Sequence, residues 1–500
     1  MIKRLLVANR GEIALRIIRA CRELEIETAA VYSDADRGAP HALAADRAFH
    51  IGPAEASESY LSIPRLIEVA REAAVDAVHP GYGFLAENPA LAAACDEAGL
   101  IFVGPPADVI ARMGSKIEAR RAMQAAGLPV VPGEVPADQS EPAIRRAAMR
   151  LPFPVLIKAA LGGGGKGMRV VREPAELDDA IEGARREAAS AFGDGTLYVE
   201  RALEHPRHVE IQVFADHHGR VVHLFERDCS VQRRHQKIIE ESPSPSLTPG
   251  LRDQMGAAAV AAARSIGYRN AGTVEFLIEG NGEGPRFYFL EMNTRLQVEH
   301  PVTEAVTGVD LVRAQLLVAS GEPLPWDQPA LLQRGHAIEC RIYAEDPSQH
   351  FLPQAGRLLL YREPSMPGVR IDSGVVEGSE VSVFYDPLLA KLIACAETRD
   401  ASIARAAAAL RAFPILGIRT NVCFLIRVLE HARFRAGGVS TDFLDTGGHP
   451  LCHVAIAEPL PAAALAAAVV HEETAATAGS LPATPLRPAD PWETLRSWRH

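Results

Sequence analysis

The sequence predicts an α/β (α+β) protein of about three domains, and three observations carry this. Residues 1 to 110 alternate short apolar strands with amphipathic helices, the pattern of a parallel sheet. Further on, strand-like runs flank the turn-rich segments LGGGGKG and GNGEGP, the pattern of hairpins. The 500 residues, 48% of them hydrophobic, supply several cores at ~150 residues per domain.

KRLLVAN (3 to 9) is an apolar strand, Arg10 and Gly11 turn, EIALRIIRACREL has helical apolar spacing, and TAAVYS (28 to 33) resumes a strand. No GxGxxG follows the first strand, so a dinucleotide site is not supported. A helix at 64 to 74, strand 76 to 80, turn GYGFLAEN, helix at 89 to 98 and strand 100 to 104 complete this region. Residues 108 to 127 read as one helix carrying Lys116, which by default is a solvated charge.

Strands 154 to 160 and 168 to 171 flank the glycine loop. Four consecutive glycines give nothing to pack, but they let backbone N–H groups approach an anion, with Lys166 adding charge. The loop is not a Walker A motif, because Ala160 stands where Gly is required and Gly167 follows the lysine. It reads as a lid over phosphates, or else as a plain surface hairpin. Lys158 ends an apolar strand, where a charge is usually paired or ligand-facing.

RHVEIQVF (207 to 214) places His208, Glu210 and Gln212 on one face, and solvent-facing polar alternation is the commoner reason for such a triplet. A polar loop follows at Gln232, Arg233, Arg234, His235 and Lys237. It suits an anionic substrate, or ion pairing with Glu240 and Glu241.

TVEFLIE (273 to 279) and FYFLEMN (287 to 293) read as a hairpin turning about Glu283, which sets Glu275 opposite Glu291. Period two puts Asn293 on the same face. Two neighbouring carboxylates repel unless a cation lies between them, and carboxylates with an amide and substrate phosphates suit Mg2+. The alternative is two solvated glutamates on a polar face. HPVTEAVTGVDLVRAQLLVASG then reads as one capped helix, and 335 to 445 as a further α/β segment where Arg341 can pair with Glu339. Beyond Gly448 an Ala/Pro-rich linker holds one expected helix at 460 to 473.

The net charge of -11 lacks a basic footprint for nucleic acid or anionic membrane. No run reaches 18 apolar residues, and the N-terminus has no cleavable leader pattern. Seven scattered cysteines without CxxC fit reduced thiols, hence a cytoplasmic or matrix-like setting.

VANRGEIALRIIRA, HPGYGFLAEN, MGSK, IKAALGGGGKGMRVV, RHVEIQV, ERDCSVQRRHQKIIEE, EMNTRLQVEHPVTE and YDPLLAKL, in this order, resemble the biotin carboxylase component of biotin-dependent carboxylases, an ATP-grasp enzyme. The resemblance spans residues 1 to 445. It implies a Rossmann-like (pre-ATP-grasp) domain at 1 to 110, an ATP-grasp domain at 111 to 325 with a lid near 130 to 204, a C-terminal carboxylase domain at 326 to 446, and a tail at 447 to 500.

The resemblance also implies roles. Lys116, Lys158, His208, His235 and Leu277 would contact ATP, Gly164 and Gly165 would cover its phosphates, and Glu200, Arg201, Ala202 and Leu203 would hold adenine, mainly through backbone. Glu275, Glu291 and Asn293 would hold Mg2+ or Mn2+. Lys237, Arg295, Gln297 and Val298 would bind bicarbonate, with Glu299 as base, and Tyr82 and Arg341 would face biotin. The family's pattern departs at ERAL, where Lys and an aromatic residue often follow the glutamate.

No MKM biotinylation motif occurs in the chain, so biotin would come on a separate carrier domain or protein. A carboxyltransferase subunit and a homodimer of the carboxylase part are the other implied partners. DPWETLRSWRH is similar to a segment of methylcrotonyl- and geranyl-type α subunits, which implies a truncated or split version of such a subunit. A carbamoyl phosphate synthetase-like ligase and a catalytically silent assembly subunit are the competing readings.

Overall fold

Five short strands, in the order Arg47–His50, Glu27–Tyr32, Arg4–Val7, Ala77–His79 and Ile101–Phe102, pair in parallel as the first sheet. The helix Gly11–Glu23 closes the first crossover and buries Ile13, Ala14, Ile17, Ile18 and Cys21, one apolar stripe at helical spacing. Each of these isoleucines removed from water contributes about 1.5–3 kcal/mol. The structure, a computed structural model, describes residues 1–161, 167–280, 284–447 and 449–452. Gly164, Gly165, Lys166 and the expected tail helix lie outside the described residues.

A small antiparallel sheet follows, ordered Gly133–Glu134, Leu197–Arg201, Val155–Ala159 and Arg169–Val171. The helices Glu141–Met149 and Leu177–Phe192 cover it, and Ile144, Ile157, Ile181 and Val199 are fully buried in their shared core.

The third sheet has eight antiparallel strands. Their order is Arg286–Asn293, Asn270–Glu279, Arg207–Ala215, Val221–Arg233, Gln236–Ser242, His336–Tyr343, Leu388–Ala396 and Val369–Ser373. Hydrogen bonding is unbroken across residue 326, since Ile239 pairs with Cys340 and Glu240 with Glu339. The segment expected as a further α/β unit therefore adds three of its strands, His336–Tyr343, Leu388–Ala396 and Val369–Ser373, to this antiparallel sheet. The Ala-rich helix Arg399–Arg411 packs on it through Ile403, Ala406 and Leu410.

Two expected single helices are each broken in two. The first splits into Ala107–Gly114 and Lys116–Ala125 at Ser115, whose extended backbone stops the turn and whose hydroxyl caps the Glu118 N–H at 3.3 Å. The second splits into His300–Thr307 and Leu311–Ala319. Gly308 ends the first half with a left-handed φ of 72°, and Asp310 caps the Arg313 N–H of the second at 2.7 Å. Apolar spacing continues through both breaks, so periodicity alone does not show them.

Candidate active site

Glu275 does stand opposite Glu291, but through a device the sequence count overlooks. Near the turn the pairs are Phe276 with Phe289 and Leu277 with Tyr288, one residue tighter than symmetry about Glu283 requires. A bulge at Leu290 absorbs the difference and brings Glu291 across from Glu275 and Asn293 across from Thr273.

The row continues sideways. Glu275 is also paired with Glu210 on the next strand, and Glu210 with Arg227 on the one after. Three glutamates thus stand side by side across adjacent strands, where like charges destabilise a sheet unless they are neutralised. The face that alternation alone would give to water is buried: Glu210 and Gln212 are 0% exposed.

Two cations hold the Glu210 and Glu275 part of the row. Arg227 donates from Nε to Glu210 at 2.5 Å and from Nη1 to Gln212 at 2.7 Å. Lys237 Nζ reaches Glu210 at 2.5 Å, Glu275 at 2.8 Å and Glu299 at 2.6 Å. It stands at the second residue of Gln236–Ser242, just after a two-residue turn in which Arg234 and His235 both have positive φ. The expected polar loop is this tight hairpin. Glu240 and Glu241 bond elsewhere, to Arg341 and to His336 with Arg399.

Glu299 stands immediately before the helix His300–Thr307, beside Lys237 and Arg341, with no exposed surface. Its two oxygens meet Lys237 at 2.6 Å and Arg341 at 3.0 Å. Burial alone would raise its pKa, yet Lys237, Arg341 and Arg227 hold it well below the usual carboxylate range, so it is ionised. Arg341 pairs with Glu240 at 2.5 Å rather than with its strand neighbour Glu339.

Burial pushes the Glu291 carboxyl up, and Glu275 pushes it further. Glu275 is held low: Lys237 and His208 outweigh its burial. The pair fits a hard divalent ion, because a cation between the two strands would relieve the repulsion that now falls on Glu291. Asn293 turns its Nδ2 to Glu275 at 2.7 Å and its Oδ1 to Arg295 at 3.2 Å, so the amide must rotate to offer oxygen to an ion. His208, Glu210 and Glu275 also converge as a possible ligand trio, but the Lys237 ammonium already bridges two of them.

Lys237, Glu275, Glu291 and Asn293 border a cleft of about 780 Å³, with the fully buried Glu210, Arg227 and Glu299 behind its wall. Lys116, Lys158, Glu200, Arg201, Ala202, Leu203, His208, His235, Leu277, Arg295, Gln297, Val298 and Arg341 line it with Lys237, Glu275, Glu291 and Asn293. The helix break at Ser115 places Lys116 here, its backbone N–H donating to Ala160 at 3.1 Å. Burial lowers the Lys116 pKa against the attraction of Glu291. Lys158, also buried, pairs with Glu200, which outweighs its desolvation.

At the expected adenine segment, the Arg201 and Ala202 N–H groups are spent on Pro132 and Pro154 carbonyls, and the Arg201 side chain clamps Glu279 at 2.7 and 2.8 Å. Tyr82 does not border the cleft directly. Its ring lies 5.8 Å from Lys391 Nζ, which donates to the Val298 carbonyl at 2.9 Å.

Residues that sequence reasoning missed include Glu87, which bonds Arg295, and Asp442 and Asp445, which close the cleft from near the end of the described chain. Glu87 stands within the HPGYGFLAEN motif, a signal that could have marked it, whereas Asp442 and Asp445 carry no local signal and only folding joins them to the site. Cys21, Cys95, Cys229 and Cys340 are buried free thiols. Among the described residues no helix is long and apolar enough to cross a membrane.

Comparison with known proteins places the chain in a family. Family models described as biotin carboxylase N-terminal domain, carbamoyl-phosphate synthase L chain ATP binding domain, and biotin carboxylase C-terminal domain match residues 1–110, 115–326 and 339–446. The chain is 52% identical over 444 residues to a biotin carboxylase of Halalkalibacterium halodurans, covering 89% of this chain and 97% of that one. It is 50% identical to the rat mitochondrial methylcrotonoyl-CoA carboxylase subunit alpha, covering 89% of this chain and 62% of that subunit.

The biotin carboxylase domain dimer of Hydrogenobacter thermophilus 2-oxoglutarate carboxylase, solved with MgADP, ADP and bicarbonate, superposes with a TM-score of 0.87 at 44% identity, covering 91% of this chain and 99% of that one. Likeness at this level across all three family models shows descent from one stock: the chain belongs to the biotin carboxylase family.

Proposed function

We propose that the chain is an ATP-dependent ligase that carboxylates biotin with bicarbonate, the first half-reaction of a biotin-dependent acyl-CoA carboxylase. The observation that carries the reading is Lys237, held by Glu210, Glu275 and Glu299 beside the Glu275 and Glu291 pair. A cation site for nucleotide phosphates and an ionised base thus meet at one ammonium.

Lys116, Lys158, His208, His235 and Leu277 take the nucleotide, under a lid that includes Gly164 and Gly165. Glu200 to Leu203 receive adenine through the remaining backbone groups. Glu275 and Glu291, with Asn293 once its amide turns, hold Mg2+ or Mn2+, which supplies charge neutralisation at the phosphates when bound. Lys237, Arg295, Gln297 and the Val298 backbone receive bicarbonate, a poor electrophile.

Glu299 accepts its proton, and the bicarbonate oxygen attacks the γ-phosphate to give carboxyphosphate and ADP. Cations rather than a covalent residue stabilise the transferring group. Carboxyphosphate then releases CO2, and the freed phosphate takes the proton from the ureido nitrogen of biotin. Arg341 stabilises the resulting anion beside Tyr82, and the nitrogen of that anion attacks the CO2 to form carboxybiotin. Exclusion of water protects the labile intermediate.

Biotin comes on a carrier domain or protein, a carboxyltransferase subunit uses the product, and the carboxylase part pairs as a homodimer in the cytoplasm. Relatives that are parts of larger carboxylases support the carrier and carboxyltransferase partners, and the domain dimer of the Hydrogenobacter thermophilus relative supports the pairing. The test is ATP turnover with bicarbonate and free biotin, omitting each in turn. Turnover requires bicarbonate and rises with biotin if the reading holds, whereas turnover indifferent to biotin would favour a carbamoyl phosphate synthetase-like ligase.

A further inference from the structure

A carboxylate from the first domain reaches the strand end that carries the bicarbonate groups. Glu87 follows the turn formed by Gly81 and Gly83, and lies 207 residues before Thr294. Its Oε1 accepts the Thr294 N–H at 3.0 Å, and its Oε2 accepts Arg295 Nε at 2.8 Å. One carboxylate therefore holds both the backbone and the side chain of adjacent residues.

The remaining acceptors of Arg295 are close along the chain. Nη1 donates to Gln297 Oε1 at 3.0 Å and to the Leu296 carbonyl at 3.2 Å, and Nη2 to Asn293 Oδ1 at 3.2 Å. Those groups move with the strand end itself. Glu87 ties the guanidinium plane to a separate domain. Its side chain is 40% exposed, so it holds up no core, and both its oxygens are spent on these two donors.

We propose that Glu87 is a positioning residue for the bicarbonate site, aiming the Arg295 guanidinium by holding Nε so that the Nη edge faces the cleft. The proposal rests on the biotin carboxylase reading above. A guanidinium binds a planar oxyanion through a rigid fork, and that advantage is lost once the plane can rotate. Both oxygens of Glu87 must accept, so Glu87→Gln turns an NH2 group on one of the two donors and breaks that bond.

The experiment compares the native chain with Glu87→Gln and Glu87→Ala in bicarbonate-dependent ATP turnover, measuring KM for bicarbonate and for ATP, and the thermal midpoint. Loss of a charge-assisted bond raises the bicarbonate KM about tenfold in Glu87→Ala. Glu87→Gln shows a rise of the same direction, while ATP KM, midpoint and turnover at saturating bicarbonate stay near native.

An unchanged bicarbonate KM overturns the proposal. So does an equal rise in both KM values, which would mark Glu87 as a general support. Absence of bicarbonate-dependent turnover in the native chain would instead defeat the functional reading before any variant is compared.

Discussion

Lys237 Nζ and Glu299 Oε1 are 2.6 Å apart in an ion pair whose carboxylate is fully buried, and the second Glu299 oxygen is 3.0 Å from Arg341. The base of the proposed reaction is thus stored ionised between the cation for bicarbonate and the cation for biotin. Its basicity is low while both cations lean on it, and rises as an incoming anion draws them away.

Glu299→Gln should therefore lower bicarbonate-dependent turnover about a hundredfold or more, the scale of general-base loss. ATP affinity should stay within about twofold, because the role proposed for this side chain is that of a base rather than a nucleotide contact. Kinetics with a direct nucleotide-binding measurement checks this, and an equal loss of ATP binding would contradict the role.

Glu291→Gln removes one of two opposed carboxylates. The Mg2+ concentration for half-maximal turnover should rise at least tenfold, about the cost of altering even groups one bond further from an ion. Without metal the variant should melt no lower than the native chain, since Glu275 no longer repels a buried neighbour. Chelation with EDTA should abolish native turnover, and Mg2+ or Mn2+ should restore it.

Arg341→Met should separate the two halves of the chemistry. ATP turnover driven by bicarbonate alone should persist at a reduced level, while stimulation by free biotin should fall by about a hundredfold, as for loss of one charge-stabilising donor. Retained biotin stimulation would remove Arg341 from the biotin step.

His41 gives a pH signature remote from the cleft. Burial lowers its pKa to about 4, against the pull of Asp36, from the ordinary 6.5. Between these values the unfolded chain binds a proton that the folded chain does not, so this residue's contribution to stability falls as pH falls. At pH 5 the loss is about 2 kcal/mol. His41→Gln should accordingly lose less thermal stability than the native chain on going from pH 7 to pH 5, and parallel losses would contradict the assignment.

Much of the site was legible in order along the chain because strand periodicity is local. Counting outward from GNGEGP brings Glu275 to Glu291, and the polar strand 207 to 214 shows its triplet at a glance. The burial of that triplet was not legible, because its partners Arg227 and Lys237 arrive on other strands. The two helix breaks were missed for the opposite reason: each depends on one residue's backbone at Ser115 or Gly308, while the apolar spacing runs on.

By itself the sequence determined the parallel opening, the acidic hairpin, the lysines of the cleft and the family. Those follow from periodicity, turn residues and motif order, which are properties of neighbours in the chain. Only the tertiary structure decided the bulge at Leu290, the row of Glu291, Glu275, Glu210 and Arg227, the place of Lys237 among three carboxylates, and the reach of Glu87 to Arg295. Register and long-range ion pairing depend on which strands meet, and a buried charge finds its partner by position in space.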